Sequence, residues 1–424
     1  MITSSANYEA TKEYASGLDQ VDTLFPFRER FLFPQHDGRD ARYFCGNSLG
    51  LQPKSVSYLM DKELQDWAKY GVEGHFKAAL PWFSYHHFFS ERLGKIVGAG
   101  KDEVVAMNTL TVNLHMLMFS FYRPEGKRYK ILMEAGAFPS DQYAVETQVR
   151  MHGYDPGDAI IEITPQKGAH LIEDADIINA ITEAGGSIAL VMIGGVNYYT
   201  GQFFGLENIT KAAHAAGAYV GFDLAHAIGN IPLRLHDWNI DFACWCSYKY
   251  LNSGPGGVGG AFVHERYGND PKLFRLGGWW GNDEKTRFKM QKGFVPQKGA
   301  ASWQISNAPV FNMVAHNASL DIFDKAGIGP LREKSIQLTG YMEFLLRQLT
   351  HLPFEIITPS EPHRRGCQLS LLFKDRGREV FEALTRSGII ADWREPDVIR
   401  IAPVPLYNTF EDCYSFYEVL MNIE

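Results

Sequence analysis

Lys249 lies between Tyr248 and Tyr250 in the stretch "CSYKYLNSGPGGVGG", directly before a glycine-rich run. Part of that run, "GPGGVG", matches the G-x-G-x-x-G pattern of dinucleotide-binding loops. Such a loop needs a helix directly after it to hold a pyrophosphate, and an acidic residue further on to bind a ribose. Here the strand-like "GAFVHE" follows, and no acid ends a second strand at the required distance. We therefore expect the glycines to let the backbone turn tightly and pass close to neighbouring structure.

Lys249 and Asp223 are the residues best suited to covalent chemistry. Lys249 follows the apolar run "FACWCSY", just past a predicted strand end, where open α/β sheets bind their ligands. Asp223 ends the apolar run "AYVGFD", where a carboxylate is costly unless it meets a cation. They are 26 positions apart (249 − 223) with one strand-sized element between them, which predicts a shared sheet edge. A Schiff-base lysine and an acid facing a protonated pyridine nitrogen are the pair that pyridoxal phosphate (PLP) enzymes need.

Each of these residues also has an ordinary interpretation. Taken alone, a lysine beside a turn is more often a surface residue, and His226, three residues after Asp223, is more often a turn histidine. Next to Asp223, however, His226 could lie against the cofactor ring. The PLP interpretation becomes stronger only if several such positions converge on one edge of the sheet.

Two predicted helix starts could complete a PLP site. Thr109 and Thr111 stand at the start of the amphipathic stretch "LTVNLHMLMF", where free backbone N–H groups attract a phosphate, although simple capping explains them as well. The second helix start, "FPSDQYAVE", offers an aromatic ring for stacking and polar groups that also serve as caps. Its residues are Phe138, Pro139, Ser140 and Asp141.

The elements that must position these residues alternate along the chain. From about residue 104 to 263, short continuous apolar runs alternate with amphipathic stretches. This pattern predicts an α/β fold with a mostly parallel sheet flanked by helices. After residue 310, two long helical patterns, the strand-like "CQLSLLF" and "VIRIAPV", and a last helix predict a smaller α+β domain. The predicted division is an N-terminal segment 1–50, a large domain 51–310 and a small C-terminal domain 311–424.

Charge and composition exclude several classes of function. The 424 residues include 49 acidic and 41 basic ones, and the net charge of −8 argues against a dedicated nucleic-acid or anionic-membrane binder. The five cysteines are scattered and predict no disulfide framework; Cys244 and Cys246 are expected to be buried strand residues rather than metal ligands. Residues 1–20 lack the apolar core of a signal peptide, and "IALVMIGGV" is too short to span a bilayer. A cytoplasmic location is the default expectation.

Nearly the whole chain, from Phe44 to Phe410, resembles the kynureninase family of PLP enzymes, within the fold-type-I aminotransferase superfamily. The motifs that carry the resemblance are "GNSLGLQP", "LTVNLHML", "KILMEAGAFPSDQYA", "YYTGQ", "GFDLAHAIGN", "DFACWCSYKYLN", "GWWG", "TRFKM", "ISN" and "IRIAPVPLYN". The resemblance implies the PLP-dependent transferase fold of type I. It also implies hydrolysis of L-kynurenine to anthranilate and L-alanine, or of 3-hydroxy-L-kynurenine to 3-hydroxyanthranilate and L-alanine, without a metal ion.

The resemblance further implies roles at matching positions. Lys249 would bind the cofactor as a Schiff base and then act as the base, and Tyr248 would donate a proton in later steps. Asp223 would face the pyridine nitrogen. The implied cofactor contacts are Leu110, Thr111, Phe138, Pro139, Ser140, Asp141, Asp223, His226, Tyr248, Lys249, Trp279 and Asn307.

For the substrate, the resemblance implies that Arg400 clamps the α-carboxylate and that Ser48, His75 and Asn307 lie near the aromatic end. Trp279 and Asn307 would come from the partner subunit, which implies a homodimer with shared active sites. Gly194 stands where the family carries serine and is given no role.

Other functions remain open at this level. A cysteine desulfurase needs a mobile catalytic cysteine, whereas Cys367 leads straight into a predicted strand in "RRGCQLSLLF". A class V aminotransferase shares the lysine and aspartate, and a PLP-binding protein without activity is a further alternative. The product could feed either tryptophan catabolism or nicotinamide cofactor synthesis.

Overall fold

The structure is a computed structural model that describes residues 8–423. Residues 1–7 and Glu424 lie outside the described residues. Residues 1–7 belong to the predicted N-terminal segment and to the stretch 1–20 that was examined for a signal peptide. A seven-stranded sheet forms the centre of the larger unit. Its strands are β1 (Val104–Ala106), β2 (Lys130–Glu134), β3 (Ile160–Ile163), β4 (Ile188–Gly194), β5 (Tyr219–Asp223), β6 (Phe242–Cys246) and β7 (Gly259–Val263).

The strand order is β1-β7-β6-β5-β4-β2-β3, and β7 alone of these seven runs antiparallel to its neighbours. The predicted mostly parallel sheet is therefore confirmed. Every residue of β6 is buried, and alternate residues enter different apolar clusters. Ala243 and Trp245 join the cluster on one face, and Phe242 and Cys244 join the cluster on the other. Helices cover both faces, which is why the strands are continuous apolar runs.

The α-helices longer than four residues fall on both sides of the sheet and around the chain termini. They are α1 (Lys12–Val21), α2 (Ser55–Tyr70), α3 (His87–Val97), α4 (Leu110–Phe121), α5 (Pro139–Met151), α6 (Asp174–Ala184), α7 (Leu206–Ala215), α8 (Val310–Ala326), α9 (Ile328–Arg347), α10 (Gly377–Arg386) and α11 (Phe410–Met421). Helices α4 and α5 contribute to the apolar cluster on one face, and α6 and α7 to the cluster on the other.

A second, antiparallel sheet lies in the C-terminal part. Its strands are β8 (Phe354–Ile356), β9 (Leu369–Phe373), β10 (Asp392–Arg394) and β11 (Val398–Ile401), in the order β8-β9-β11-β10. Helices α9, α10 and α11 pack on it around a separate apolar cluster. This is the α+β unit that the sequence predicts.

The N-terminal segment packs against the C-terminal unit. Ala15 of α1 and Phe44 belong to the same apolar cluster as α9 and α11, and the short strand Arg42–Tyr43 pairs with Ile389–Ile390. The domain boundaries at residues 50 and 310 remain predictions. Within residues 8–423, no helix combines the length and the apolar character needed to cross a membrane.

The carboxyl ends of β4, β5 and β6 meet at one edge of the large sheet. Asp223, the last residue of β5, lies directly opposite Gly194 of β4 and Cys244 of β6. Lys249 follows β6 by three residues. The fold thus positions Asp223 and the lysine turn side by side, at the edge where open α/β sheets bind ligands.

Asp241 is a buried acid that holds two strands in place from the opposite edge. Its carboxylate accepts hydrogen bonds from the N–H of Val220 at 2.7 Å and from the hydroxyl of Tyr267 at 2.7 Å. It also forms ion pairs with His214 and Arg266. Because its partners come from separate elements, Asp241 connects β5 to the segment after β7.

We predict that Asp241→Ala lowers the free energy of unfolding by about 3–5 kcal/mol, because removing one partner leaves buried donors and a buried cation without an acceptor. Urea denaturation followed by circular dichroism measures this loss. Asp237→Ala is the matched control, since Asp237 pairs with Arg234 at the surface and such pairs contribute only about 0.2–1 kcal/mol. Equal losses in the two variants would contradict the role given to Asp241.

Candidate active site

A cavity of about 160 Å³ lies over the carboxyl ends of β4, β5 and β6. It brings together most of the cofactor contacts expected from the sequence. Its lining residues are Leu110, Thr111, Glu134, Phe138, Ser140, Asp141, Gly194, Val196, Tyr198, Asp223, Ala225, His226, Cys246, Tyr248 and Lys249. The expected convergence on one sheet edge is therefore present in the structure.

Lys249 has a defined partner inside the cavity. Its Nζ lies 2.9 Å from Nε2 of His226 and 5.7 Å from the centre of the Phe138 ring. Burial lowers the pKa of His226 well below its ordinary value, and the charge of Lys249 lowers it further. The neutral imidazole therefore accepts a hydrogen bond from the lysine. Nδ1 of His226 is buried without a hydrogen-bond partner.

Asp223 and Asp141 form a hydrogen-bonded acid pair. Oδ1 of Asp223 accepts a hydrogen bond from the N–H of Ala225 at 2.7 Å. Burial raises the pKa of both acids, and the charge of Asp223 raises the pKa of Asp141 further still. Asp141 is thus the protonated member that donates to Asp223. The hydrogen bonds from Asp141 and from the N–H of Ala225 favour the charged form of Asp223, which suits it to face a cation in the cavity.

Glu134 is a third buried acid of this cavity, and sequence reasoning missed it. It ends β2, and its carboxylate accepts the N–H of Gly194 at 3.0 and 3.2 Å. Burial raises the pKa of Glu134 to about 7. A Cβ at Gly194 would lie 2.9 Å from Oε1 of Glu134, so the glycine permits this close approach. The signal that identified Asp223, an acid ending an apolar run, is present in "KILME" as well.

Two helix starts form the other walls. Helix α4 begins at Leu110, and the side chain of its N-cap Thr109 makes no capping hydrogen bond. Leu110 and Thr111 of the first turn line the cavity, so the free N–H groups at this end of the helix lie beside it. Such a helix end favours a bound anion. Helix α5 begins at Pro139, and the ring of Phe138 packs edge-on against Tyr198 at 5.2 Å.

The loop that contains Ser48 packs against the lysine turn. The N–H of Gly50 donates to the carbonyl of Tyr248 at 2.8 Å, and a Cβ at Gly50 would collide with the carbonyl of Lys249. Tyr248 itself is half-buried, and burial raises the pKa of its phenol above the ordinary value. The phenol of Tyr248 therefore stays protonated at neutral pH.

Arg400 lies behind the cavity. It is fully buried on β11, so the alternative of an arginine on an exposed strand is wrong. Its Nη1 donates to the carbonyl of Tyr198 at 2.6 Å, its Nη2 pairs with Asp392, and its Nε has no partner. Burial lowers the pKa of Arg400 to about 10, so the guanidinium remains charged. Neither Asp392 nor Tyr198 was singled out from the sequence.

Six expected site residues do not line this cavity: Pro139, Ser48 and Arg400, which lie in the elements described above, and His75, Trp279 and Asn307. Nδ1 of His75 lies 3.0 Å from the carbonyl of Val72, and its ring packs edge-on against Trp82. Trp279 is 49% exposed and lines a separate cavity between residues 277 and 295. Asn307 is exposed as well. Within one chain, these last three residues and Lys249 belong to different surfaces.

The glycine run beside Lys249 leads into β7 and not into a helix, so the dinucleotide interpretation is wrong. Gly254 and Gly256 have φ values of 81° and 67°, which only glycine adopts readily. The N–H of Gly259 donates to the carbonyl of Asn108 at 2.7 Å. A Cβ at Gly259 would lie 3.1 Å from the backbone of Thr109. The run therefore lets β7 pass close to the start of α4.

The cysteines of interest are buried. Cys244 and Cys246 lie in β6, as expected. Cys367 lies directly before β9, and burial raises the pKa of its thiol to about 12. Its N–H donates to Oδ1 of Asn230 at 2.9 Å. Cys367 is thus a packed structural residue and not a mobile thiolate.

Comparisons with known proteins place this geometry in a family. The Kynureninase C-terminal domain family matches residues 331–420. A kynureninase from Flavobacterium johnsoniae is 53% identical over 416 residues, covering 97% of this chain and 98% of that protein. A kynureninase from Myxococcus xanthus is 51% identical over 420 residues, covering 99% of each chain.

Solved structures of other enzymes share the fold. A cysteine desulfurase from Escherichia coli superposes with a TM-score of 0.76 at 16% identity, over 95% of this chain and 98% of that one. The lyase C-DES, in a structure with glycine covalently linked to its PLP cofactor, gives a TM-score of 0.74 at 16% identity, over 90% and 96% of the two chains. These likenesses confirm the expected fold of type I. The identity over nearly the full length is more specific, and the chain belongs to the kynureninase family.

Proposed function

We infer that this chain is a PLP-dependent kynureninase, a hydrolase that acts on carbon–carbon bonds in tryptophan catabolism. It would cleave L-kynurenine to anthranilate and L-alanine, and 3-hydroxy-L-kynurenine to 3-hydroxyanthranilate and L-alanine. The observation that carries this conclusion is the meeting of Lys249 and Asp223 in one buried cavity. That cavity belongs to a chain about half identical to kynureninases along nearly its whole length.

The residues of the cavity fit PLP. Asp223 offers a buried negative charge for a pyridinium, and the start of α4 offers N–H groups for a phosphate. Phe138 offers a ring face for stacking, and the orphaned Nδ1 of His226 offers a polar contact at depth. When bound, PLP supplies a protonated ring that withdraws electrons from the α-carbon of the substrate.

Lys249 has two tasks in the proposed mechanism. Its Nζ would hold the cofactor covalently and, once free, would remove the proton from the substrate α-carbon. His226, neutral and 2.9 Å away, orients the amine without competing for the proton. Asp141 donates a hydrogen bond to Asp223, which favours the charged form of Asp223 that would hold a pyridinium nitrogen.

Tyr248 and Arg400 serve the substrate in this proposal. The phenol of Tyr248, which stays protonated, donates a proton to the β-carbon after water has added to the γ-ketone and the carbon–carbon bond has broken. Arg400 binds the α-carboxylate. Its Nε has no partner, and its Nη2 can exchange Asp392 for the carboxylate of the substrate.

The remaining cofactor and substrate contacts support a homodimer. Trp279 and Asn307 are exposed and apart from Lys249 in one chain, which suits residues that complete the site of a partner subunit. Ser48 lies two residues from the glycine that binds the lysine turn, and His75 would border the aromatic end with it. In the proposed division, residues 51–310 hold the cofactor and 311–424 supply Arg400. We propose that the enzyme works in the cytoplasm.

We predict that the wild-type protein with PLP converts L-kynurenine to anthranilate, and that Lys249→Ala lowers turnover at least about a thousandfold, since the general base is lost. Anthranilate fluorescence measures turnover, and visible absorbance reports the lysine-bound cofactor, which should vanish in the variant. Lys211→Ala, at a surface ion pair, is the control. A wild-type protein that binds PLP but converts neither kynurenine nor its 3-hydroxy form would be a binding protein without this activity.

We predict that Arg400→Gln raises KM for kynurenine about 30- to 160-fold with a smaller effect on kcat, because a charge-assisted hydrogen bond contributes about 2–3 kcal/mol. Steady-state kinetics separates the two constants. Arg394→Gln is the matched control, since Arg394 contacts the same Asp392 at 3.3 Å but lies on the neighbouring strand. An unchanged KM in Arg400→Gln would remove Arg400 from the clamp.

We predict that Glu134→Gln changes how stability depends on pH. The native pKa of Glu134, about 7, lies above its ordinary value of 4.5, so its protonated form stabilises the native state at low pH. That stability is lost as the pH rises through 7. In cofactor-free protein, Glu134→Gln should therefore gain about 2–3 kcal/mol relative to wild type between about pH 5 and pH 8. Urea denaturation at both pH values tests this, with the exposed Glu162→Gln as the control; parallel pH profiles of wild type and Glu134→Gln would refute it.

A further inference from the structure

His86, His87 and Glu284 form a cluster outside the proposed active site. His86 is the N-cap of α3, His87 is its first residue, and Glu284 comes from the loop that follows Trp279. Nε2 of His87 lies 2.8 Å, and Nε2 of His86 3.8 Å, from Oε1 of Glu284. One ligand atom from each residue lies within 4.8 Å of the other two.

His86 has no hydrogen-bond partner for either ring nitrogen, although its side chain is fully buried. Buried polar groups in native proteins nearly always have a partner, so this side chain needs an explanation. An unpartnered imidazole nitrogen is the group that a metal ion takes from histidine as a ligand.

A second cluster of potential metal ligands in the chain differs from this one. Glu103, His236 and His264 lie at similar spacing, but their facing atoms already have partners. The carboxylate of Glu103 accepts from the N–H of Glu265 at 2.8 Å and contacts Nδ1 of His236 at 3.0 Å. Nδ1 of His264 accepts the N–H of Arg266 at 3.3 Å. This second cluster is complete without an ion, whereas the cluster of His86 is not.

We propose that His86, His87 and Glu284 bind a divalent transition-metal ion of the zinc class. Two imidazoles and one carboxylate are typical zinc ligands, with bonds of about 2.0–2.2 Å, which put ligand atoms about 3.3 Å apart in a tetrahedron. The observed separations of 2.8 and 3.8 Å from Oε1 of Glu284 bracket that value. The negative charge of Glu284 offsets the positive charge of the nearby Arg287. Water would take the fourth position.

The ion would act as a structural clasp. It joins the start of α3 to the loop of Trp279, which in the proposed homodimer reaches the neighbouring active site. None of the three ligands lines the cavity of Lys249 in the same chain, so zinc binding can be measured separately from the proposed activity.

Zinc binding to the full-length, PLP-loaded protein tests the proposal. After chelator treatment, we expect wild type to bind one Zn²⁺ per chain in equilibrium dialysis, and Co²⁺ to give the visible bands of a tetrahedral site. Glu284→Gln should weaken zinc binding at least tenfold. This variant keeps the volume of a half-exposed side chain, so it should fold normally. His86→Ala should abolish the binding.

His236→Ala is the matched control, because it removes a ligand of the completed cluster and should leave zinc binding unchanged. Zinc should also raise the melting temperature of wild type and His236→Ala, but not that of Glu284→Gln. Wild-type affinity in Glu284→Gln would overturn the proposal, as would zinc binding that is lost in His236→Ala or absent from wild type. None of these outcomes depends on the hydrolysis of kynurenine.

Discussion

The negative charge on Asp223 is the constraint around which the site is built. Removing a carboxylate from water costs several kcal/mol unless a cation and hydrogen bonds replace the lost solvation. Here the N–H of Ala225 and the protonated Asp141 both donate to it, and Lys249 is the nearby cation. Glu134 adds a third acid whose burial favours its neutral form. The hydrogen bonds to Asp223 therefore favour its charged form, which suits it to face the positive charge of a pyridinium.

Close approaches of the backbone make this arrangement possible. Gly194 lets the carboxylate of Glu134 reach the end of β4, and Gly50 lets the loop of Ser48 lie on the lysine turn. Gly259 lets β7 pass beside the start of α4, where the phosphate would bind. A side chain at Gly50 or Gly259 would press on the backbone of an element that forms a wall of the cavity, whereas one at Gly194 would press on the carboxylate of Glu134. Packing of glycines, more than their flexibility, thus shapes the site.

Much of the fold and of the candidate site could be predicted from the sequence, because the ends of strands can be recognised in it. A charged residue that closes an apolar run identified Asp223, and the alternation of apolar and amphipathic stretches predicted the parallel sheet. Strand β3 was missed because its Glu162 is exposed at the sheet edge, which interrupts the apolar run. The ion pair of Arg400 with Asp392 depends on the register of two strands, which local pattern does not encode. His75 and Trp279 could be assigned only through the family resemblance, because nothing in their local sequence indicates which surface they contact.

Arg400 shows how folding prepares a site for a charged substrate. Its guanidinium is fully buried, and its desolvation is offset in the folded chain by Asp392 and by the carbonyl of Tyr198. A substrate carboxylate that approaches it meets a donor that is already desolvated and held by two neighbours, so little reorganisation is needed. Tyr198 also lines the cofactor cavity and packs against Phe138. The proposed carboxylate clamp of the small unit and the cavity wall of the large one are therefore joined through a single tyrosine, and a shift of Arg400 would be felt at Phe138, the ring proposed to stack on the cofactor.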